Sequence, residues 1–232
     1  MIRYQFSFED GYTLSFVFDE DRDISPDVVE GPVPEWMLLE NNKCDECTLP
    51  AGSRRTCPAA VAIRPIIEGF EHLQSFETAH VKAQVRHITL ESNEPVQRTV
   101  RSLMSLALPL SSCPILCRTR PLAYVHVPFA TREYEAFRVL GMHFIEQYLR
   151  AQDGKSPDWE LTRLLEALRI QRRVLATLAH RIRAAGSKDA SVNSLLLLDA
   201  IADSIELTVE RSLKSLRPLF RERLAPPADG KG

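Results

Sequence analysis

At 232 residues the chain is long enough for one large domain or two small ones, with a substantial buried core. Hydrophobic residues make up 44% and charged residues 26%, and 29 basic against 31 acidic side chains leave a net charge of −2. The two signs interleave, as in Asp19-Glu20-Asp21-Arg22-Asp23 and Arg221-Glu222-Arg223, which excludes the basic stripe of a protein that coats nucleic acid. No apolar run approaches the roughly 20 residues that cross a bilayer. Nothing at the N-terminus reads as a secretory signal, so the expected location is the cytoplasm and the expected state of the cysteines is reduced.

Residues 1–19 predict a β-hairpin. Ile2, Tyr4, Phe6 and Phe8 share one face, Glu9-Asp10-Gly11 turns the chain, and Tyr12, Leu14, Phe16 and Phe18 alternate on the return. Asp-Gly is favoured in hairpin turns because both residues tolerate positive φ. Residues 21–34 are acidic and rich in Pro and Gly, so they read as a loop. A helix is expected from Pro58 to about Leu73, with Pro58 in its first turn and Pro65 kinking it or delaying its start. Residues 76–90 alternate, with Ala79, Val81, Ala83 and Val85 opposite His80, Lys82, Gln84 and Arg86. They predict one half-exposed strand that pairs with the hairpin, giving an antiparallel sheet of about three strands.

Beyond Glu94 the period becomes helical. Val96, Val100, Leu103, Leu106, Ala107 and Leu110 follow Pro95 at helical spacing. Thr131 caps a second helix over 131–151, whose apolar positions are Tyr134, Phe137, Leu140, Gly141, Phe144, Ile145 and Tyr148; Gly154, Ser156 and Pro157 end it. Two long amphipathic helices complete the chain. The first repeats Leu161, Leu168, Leu175 and Ile182 every seven residues, and the second repeats Leu195, Ala202, Val209 and Leu216. With Ala185-Gly186-Ser187 between them they predict an antiparallel helical hairpin suited to self-association or partner binding. The expected class is α+β: a small N-terminal antiparallel sheet (1–92, with a cysteine-rich loop) on a mainly helical body (93–224), followed by a disordered tail (225–232), in one continuous domain. No internal repeat is found.

The chemistry concentrates in five cysteines. Cys44, Cys47 and Cys57 form a C-x2-C-x9-C run, and Cys113 and Cys117 form C-P-x2-C. Zinc favours thiolates in tetrahedral sites, and a C-x2-C turn presents two sulfurs on one side of a tight loop. Cys57 can return to the same ion, and Cys113, at the end of a helix expected beside the strands, is the natural fourth ligand. Four thiolates on zinc leave two surplus negative charges, which Lys43, Arg54 and Arg55 are placed to offset. Cys117 is then a neighbour or a free thiol. A true zinc ribbon has two C-x2-C pairs and this chain has one, so ordinary buried thiols and a redox dithiol stand as competing readings.

Other candidates are weaker. His126, just before a helix start, together with Arg132, Glu133, Glu135 and Arg138, reads first as a capped helix with surface ion pairs. The sharper alternatives are an anion pocket or His126 replacing one cysteine as a ligand. His72, His80 and His87 read as surface residues. Asp199 and Asp203 lie one turn apart, and Asp199, set against Arg172, Arg173 or Arg181, suits a structural ion pair more than catalysis. No nucleophile elbow, P-loop or dinucleotide-binding glycine pattern is present.

Together Cys44-x2-Cys47, Cys57-Pro58-Ala59-Ala60, Ser112-Cys113-Pro114, Arg120-Pro121-Leu122-Ala123, His126-Val127-Pro128-Phe129-Ala130 and Asp189-Ala190 with Asn193 resemble a bacterial family of uncharacterised proteins. The resemblance spans about 36–220 and departs at Thr48, where Pro is expected. It carries no activity, but implies that Cys44, Cys47, Cys57 and Cys113 belong together with Cys117 as the extra. The expected function is thus a cytoplasmic protein with a structural four-cysteine zinc site. The rival is a metal-dependent or redox enzyme or sensor using the cysteines with His126 and Arg132.

Overall fold

A computed structural model describes residues 1–25, 29, 31–184, 213–214 and 216–224. The chain is α+β, as its sequence predicts. Strands β1 (Ile2–Ser7) and β2 (Thr13–Phe18) form the N-terminal hairpin, with Ile2, Tyr4 and Phe6 buried and the residues between them exposed. Its turn differs in detail from the Asp-Gly expectation. Gly11 N–H donates to Phe8 C=O at 3.0 Å, and of the turn residues only Gly11 takes positive φ, at 85°.

Four strands are present rather than three. The stretch expected as one strand is two, β3 (Thr78–Val85) and β4 (Ile88–Pro95), giving a sheet of order β2-β1-β3-β4. Val85 pairs with Ile88 across a two-residue turn at Arg86-His87, which lacks the usual Gly or Asn. Arg86 takes φ 56°, a conformation costing a non-glycine residue about 1–2 kcal/mol. Its side chain offsets that cost: the guanidinium lies 4.0 Å from the Tyr124 ring centroid and donates to Tyr124 C=O at 3.0 Å. As an edge strand, β4 is exposed along most of its length and carries no apolar alternation for a sequence reading to find.

Helix α1 (Pro58–Gly69) starts at Pro58 and runs through Pro65. An internal proline costs a helix about 3 kcal/mol. Burial of Val61, Ile63 and Ile66, each contributing about 1.5–3 kcal/mol, outweighs it. Helix α2 (Val96–Leu110) follows β4 directly and buries Val100, Leu103, Leu106 and Leu110. One hydrophobic cluster joins the inner face of the sheet to both helices, with Phe6, Phe16 and Phe70 in ring contact at 5.4–5.9 Å.

A short helix α3 (Arg120–Tyr124) leads to α4 (Arg132–Gln152), capped as expected by Thr131, whose hydroxyl accepts from Tyr134 N–H. The buried face of α4 is not the aromatic one. Tyr134, Phe137, Phe144, Ile145 and Tyr148 are exposed, whereas Ala136, Arg138, Leu140, His143 and Gln147 are buried. Helix α5 (Thr162–Ala184) buries Leu168, Leu175, Leu178 and Ile182 within this chain. Its first turns form a second cluster with Leu140 and Leu216. Residues 185–212 of the expected helical hairpin, Asp199 and Asp203 among them, and the tail lie outside the described residues. Among the described residues, no helix is long and apolar enough to cross a membrane.

Candidate metal centre

The loop bearing the first cysteines is closed by a short antiparallel contact. Leu38 bridges Thr56, Leu39 N–H donates to Arg55 C=O at 3.0 Å, and Cys57 N–H donates to Met37 C=O at 2.7 Å. Within it, Cys47 N–H donates to Cys44 C=O at 3.0 Å, the tight C-x2-C turn the spacing predicts. Asn42 at φ 47° and Gly52 at φ 71° bend the loop back on itself. Cys57 is the N-cap of α1, where the helix favours an anionic side chain.

Cys113 arrives from the far end of α2. Ser111 ends that helix, and the chain folds over so that the backbone N–H groups of Ile115 and Leu116 favour the thiolate form of Cys113. Cys44, Cys47, Cys57 and Cys113 line one pocket of about 400 Å³, counting its open mouth. Its other walls are apolar (Leu39, Leu49, Ile115, Val174 and Leu178 among them) except for Arg181. All five cysteines are free thiols; Cys117, which does not line the pocket, donates its N–H to Cys113 C=O at 3.0 Å.

Burial pushes the Cys44 thiol up to about 12, reinforced by its cysteine neighbours and opposed by Arg181. Burial likewise raises Cys113 to about 11, against the two backbone donors. These thiols are protonated at neutral pH until something replaces their protons. Among the described residues, no group of three or more His, Cys, Asp or Glu side chains is arranged to hold a metal ion as it stands.

The cations expected to serve the site do not line it. Lys43 donates to Leu49 C=O at 2.8 Å, Arg54 donates to Ser112 Oγ at 2.7 Å, and Arg55 is exposed. Arg181 lines the pocket instead. It is 1% exposed and donates to Leu38 C=O through Nη2. Its position was legible: Arg181 falls three residues after Leu178 and seven after Val174, on the apolar face of α5. A charge on that face was the missed signal. A second tie joins α5 to the loop, an ion pair between Arg173 and Glu46 in the C-x2-C turn.

His126 belongs to a different place. Its Nε2 lies 2.6 Å from Tyr4 Oη and its Nδ1 3.4 Å from Ser105 Oγ, and Tyr4 Oη also meets Ser102 Oγ at 2.8 Å. This buried network pins β1 to α2, and His126 does not line the cysteine pocket. Arg138 is buried rather than on the surface, paired with Glu135 and donating to Leu122 C=O. His72, His80 and His87 are exposed, as expected.

A family described as a domain of unknown function (DUF6901) matches residues 2–221. The chain belongs to that family. No curated protein and no solved structure matches it. The DUF6901 match covers every cysteine, His126 and Arg181, so the pocket lies wholly within the family domain.

Proposed function

We propose that this DUF6901 protein is a metal-stabilised, non-enzymatic domain in which Cys44, Cys47, Cys57 and Cys113 hold one zinc ion. The observation that carries the reading is that four of the five cysteines, brought from three separate segments, line a single pocket. Three features support it. The C-x2-C turn is formed, the backbone N–H groups of Ile115 and Leu116 favour a thiolate at Cys113, and a buried cation lines the pocket with the thiols. An all-thiolate donor set suits zinc, and a closed four-ligand site is structural rather than catalytic. Closing it requires the thiol groups to move inward from their present arrangement and to give up their protons.

Such a site would staple the cysteine loop to the ends of α1 and α2. The enzyme or sensor reading loses its histidine, because His126 is committed to Tyr4 and Ser105 outside the pocket. The self-association reading loses its heptad face on α5, where Leu168, Leu175 and Ile182 are buried within the chain; light scattering on the purified protein tests it independently.

Metal analysis of protein purified without oxygen decides the main point. About one equivalent of zinc is expected, lost in the Cys44→Ser, Cys47→Ser, Cys57→Ser and Cys113→Ser variants and kept in Cys117→Ser. Chelation should lower the melting temperature by on the order of 10 °C, the shift that a few kcal/mol makes in a chain of this length. Wild-type protein without zinc, or a zinc content indifferent to all four serines, overturns the proposal.

A further inference from the structure

We infer that Arg181 is the charge-compensating and positioning residue of the cysteine centre, its guanidinium offsetting the surplus negative charge of four thiolates on a divalent ion. The inference rests on the four-cysteine reading above and adds to it a residue from a helix that carries no cysteine. Arg181 is 1% exposed and lines the pocket with the four thiols. Among the described residues its one hydrogen bond goes to the Leu38 carbonyl, and its buried Nε has no partner. No carboxylate pairs with it among the described residues, and the only acceptor side chains lining the pocket are the cysteines.

A guanidinium cannot shed its proton at any pH a protein survives. Among the described residues Arg181 is therefore a permanent buried cation with an unused donor, an arrangement costly to keep without a counter-charge. Zinc held by four thiolates poses the reverse difficulty, a net charge of −2 inside apolar walls. Each relieves the other: the free N–H finds sulfur as its acceptor, and the centre's charge falls to −1. Because Arg181 also holds the Leu38 carbonyl, at the root of the cysteine loop, the same side chain fixes how the loop faces α5. Loss of the ion leaves the cation without its counter-charge, so occupancy of the centre and docking of α5 are coupled.

The test titrates wild-type, Arg181→Lys and Arg181→Met protein with zinc alone against a chromophoric chelator, and measures urea unfolding of each both zinc-loaded and in excess chelator. Arg181→Met should bind zinc about 10–100-fold more weakly, while its metal-free form unfolds at the same urea concentration as wild type or higher. Arg181→Lys, which keeps the charge, should recover most of the affinity. With cobalt(II) in place of zinc, the sulfur-to-metal charge-transfer band should move to lower energy in the methionine variant. Wild-type zinc affinity in Arg181→Met, with unfolding weakened equally in the loaded and metal-free forms, overturns the inference and leaves Arg181 as a structural tie to Leu38. If the methionine variant fails to fold, the lysine variant decides alone: affinity within about threefold of wild type supports charge compensation, and a larger loss overturns it. A wild-type chain that takes up no zinc overturns the four-cysteine reading itself, and that result is in hand before any Arg181 variant is made.

Discussion

Tyr4 and His126 meet through a 2.6 Å contact between Oη and Nε2, fully inside the protein, joining the first strand to the segment that precedes α4. Burial, with Arg138 nearby, holds the imidazole at about 3, well below its ordinary value, and pushes the Tyr4 phenol up. Both groups are neutral across the physiological range. The unfolded chain takes up a proton at His126 near pH 6.5, and the folded chain does not until about 3. Stability therefore falls with acid across that window. By pH 4.5 the His126 share of the loss is about 2–3 kcal/mol. Urea unfolding at pH 7 and 4.5 measures it, and a His126→Gln variant should lose less between the two. Parallel pH dependence in both proteins would discard this account.

The phenol itself is the second probe. Tyr4→Phe keeps the ring contacts with Phe6 and Phe129 but strips Ser102 and His126 of a partner. Leaving buried polar groups unpaired costs about 1–3 kcal/mol. Calorimetry should show that destabilisation with zinc content unchanged, because the network lies outside the cysteine pocket. A phenylalanine variant as stable as wild type would mean that the hydroxyl contributes nothing.

Gly141 offers a gain. It lies inside α4, and a Cβ built there meets no atom within 4 Å. Gly141→Ala should stabilise the protein by about 0.5–1 kcal/mol through the restricted unfolded chain, raising the melting temperature by about 1–4 °C. A thermal-shift assay reads this directly, and a fall in melting temperature would show that the helix face at Gly141 is closed.

Metal uptake should release protons. With the thiols of Cys44 and Cys113 raised to about 12 and about 11, both are protonated in the metal-free protein at pH 7.5. Zinc binding should expel at least two protons per ion, seen as a binding enthalpy that varies with the ionisation enthalpy of the buffer. An enthalpy independent of buffer would show that the ion binds without displacing thiol protons.

The sequence was most readable where one face is apolar and the other is wet. Ile2, Tyr4 and Phe6, and the α2 series from Val96 to Leu110, announce their elements because burial there follows side-chain period. The C-x2-C turn was equally plain, since its hydrogen bond is local. Reading failed where distant polar contacts decide. On α4, His143 and Gln147 turn inward because Nε2 of His143 binds Asp158 C=O at 2.9 Å and Oε1 of Gln147 accepts Asp158 N–H at 2.8 Å. Those bonds reverse the face that the aromatic residues suggest, and no periodicity reveals them. Arg86 hid a turn for a similar reason, its strained backbone being offset by Tyr124, far along the chain. Arg181 escaped notice as a partner of the thiols because its relation to them exists only after α5 has packed.

The pocket's composition also sets an order of events. A chain leaving the ribosome presents Cys44, Cys47 and Cys57 well before Cys113, and Cys113 well before Arg181. An incomplete product can offer three thiols to passing metal but neither Cys113 nor Arg181, the fourth ligand and balancing cation of the centre proposed above. On the four-cysteine proposal, tight capture would be reserved for chains whose sheet, α2 and α5 have already come together, and the centre would work as a latch that closes last.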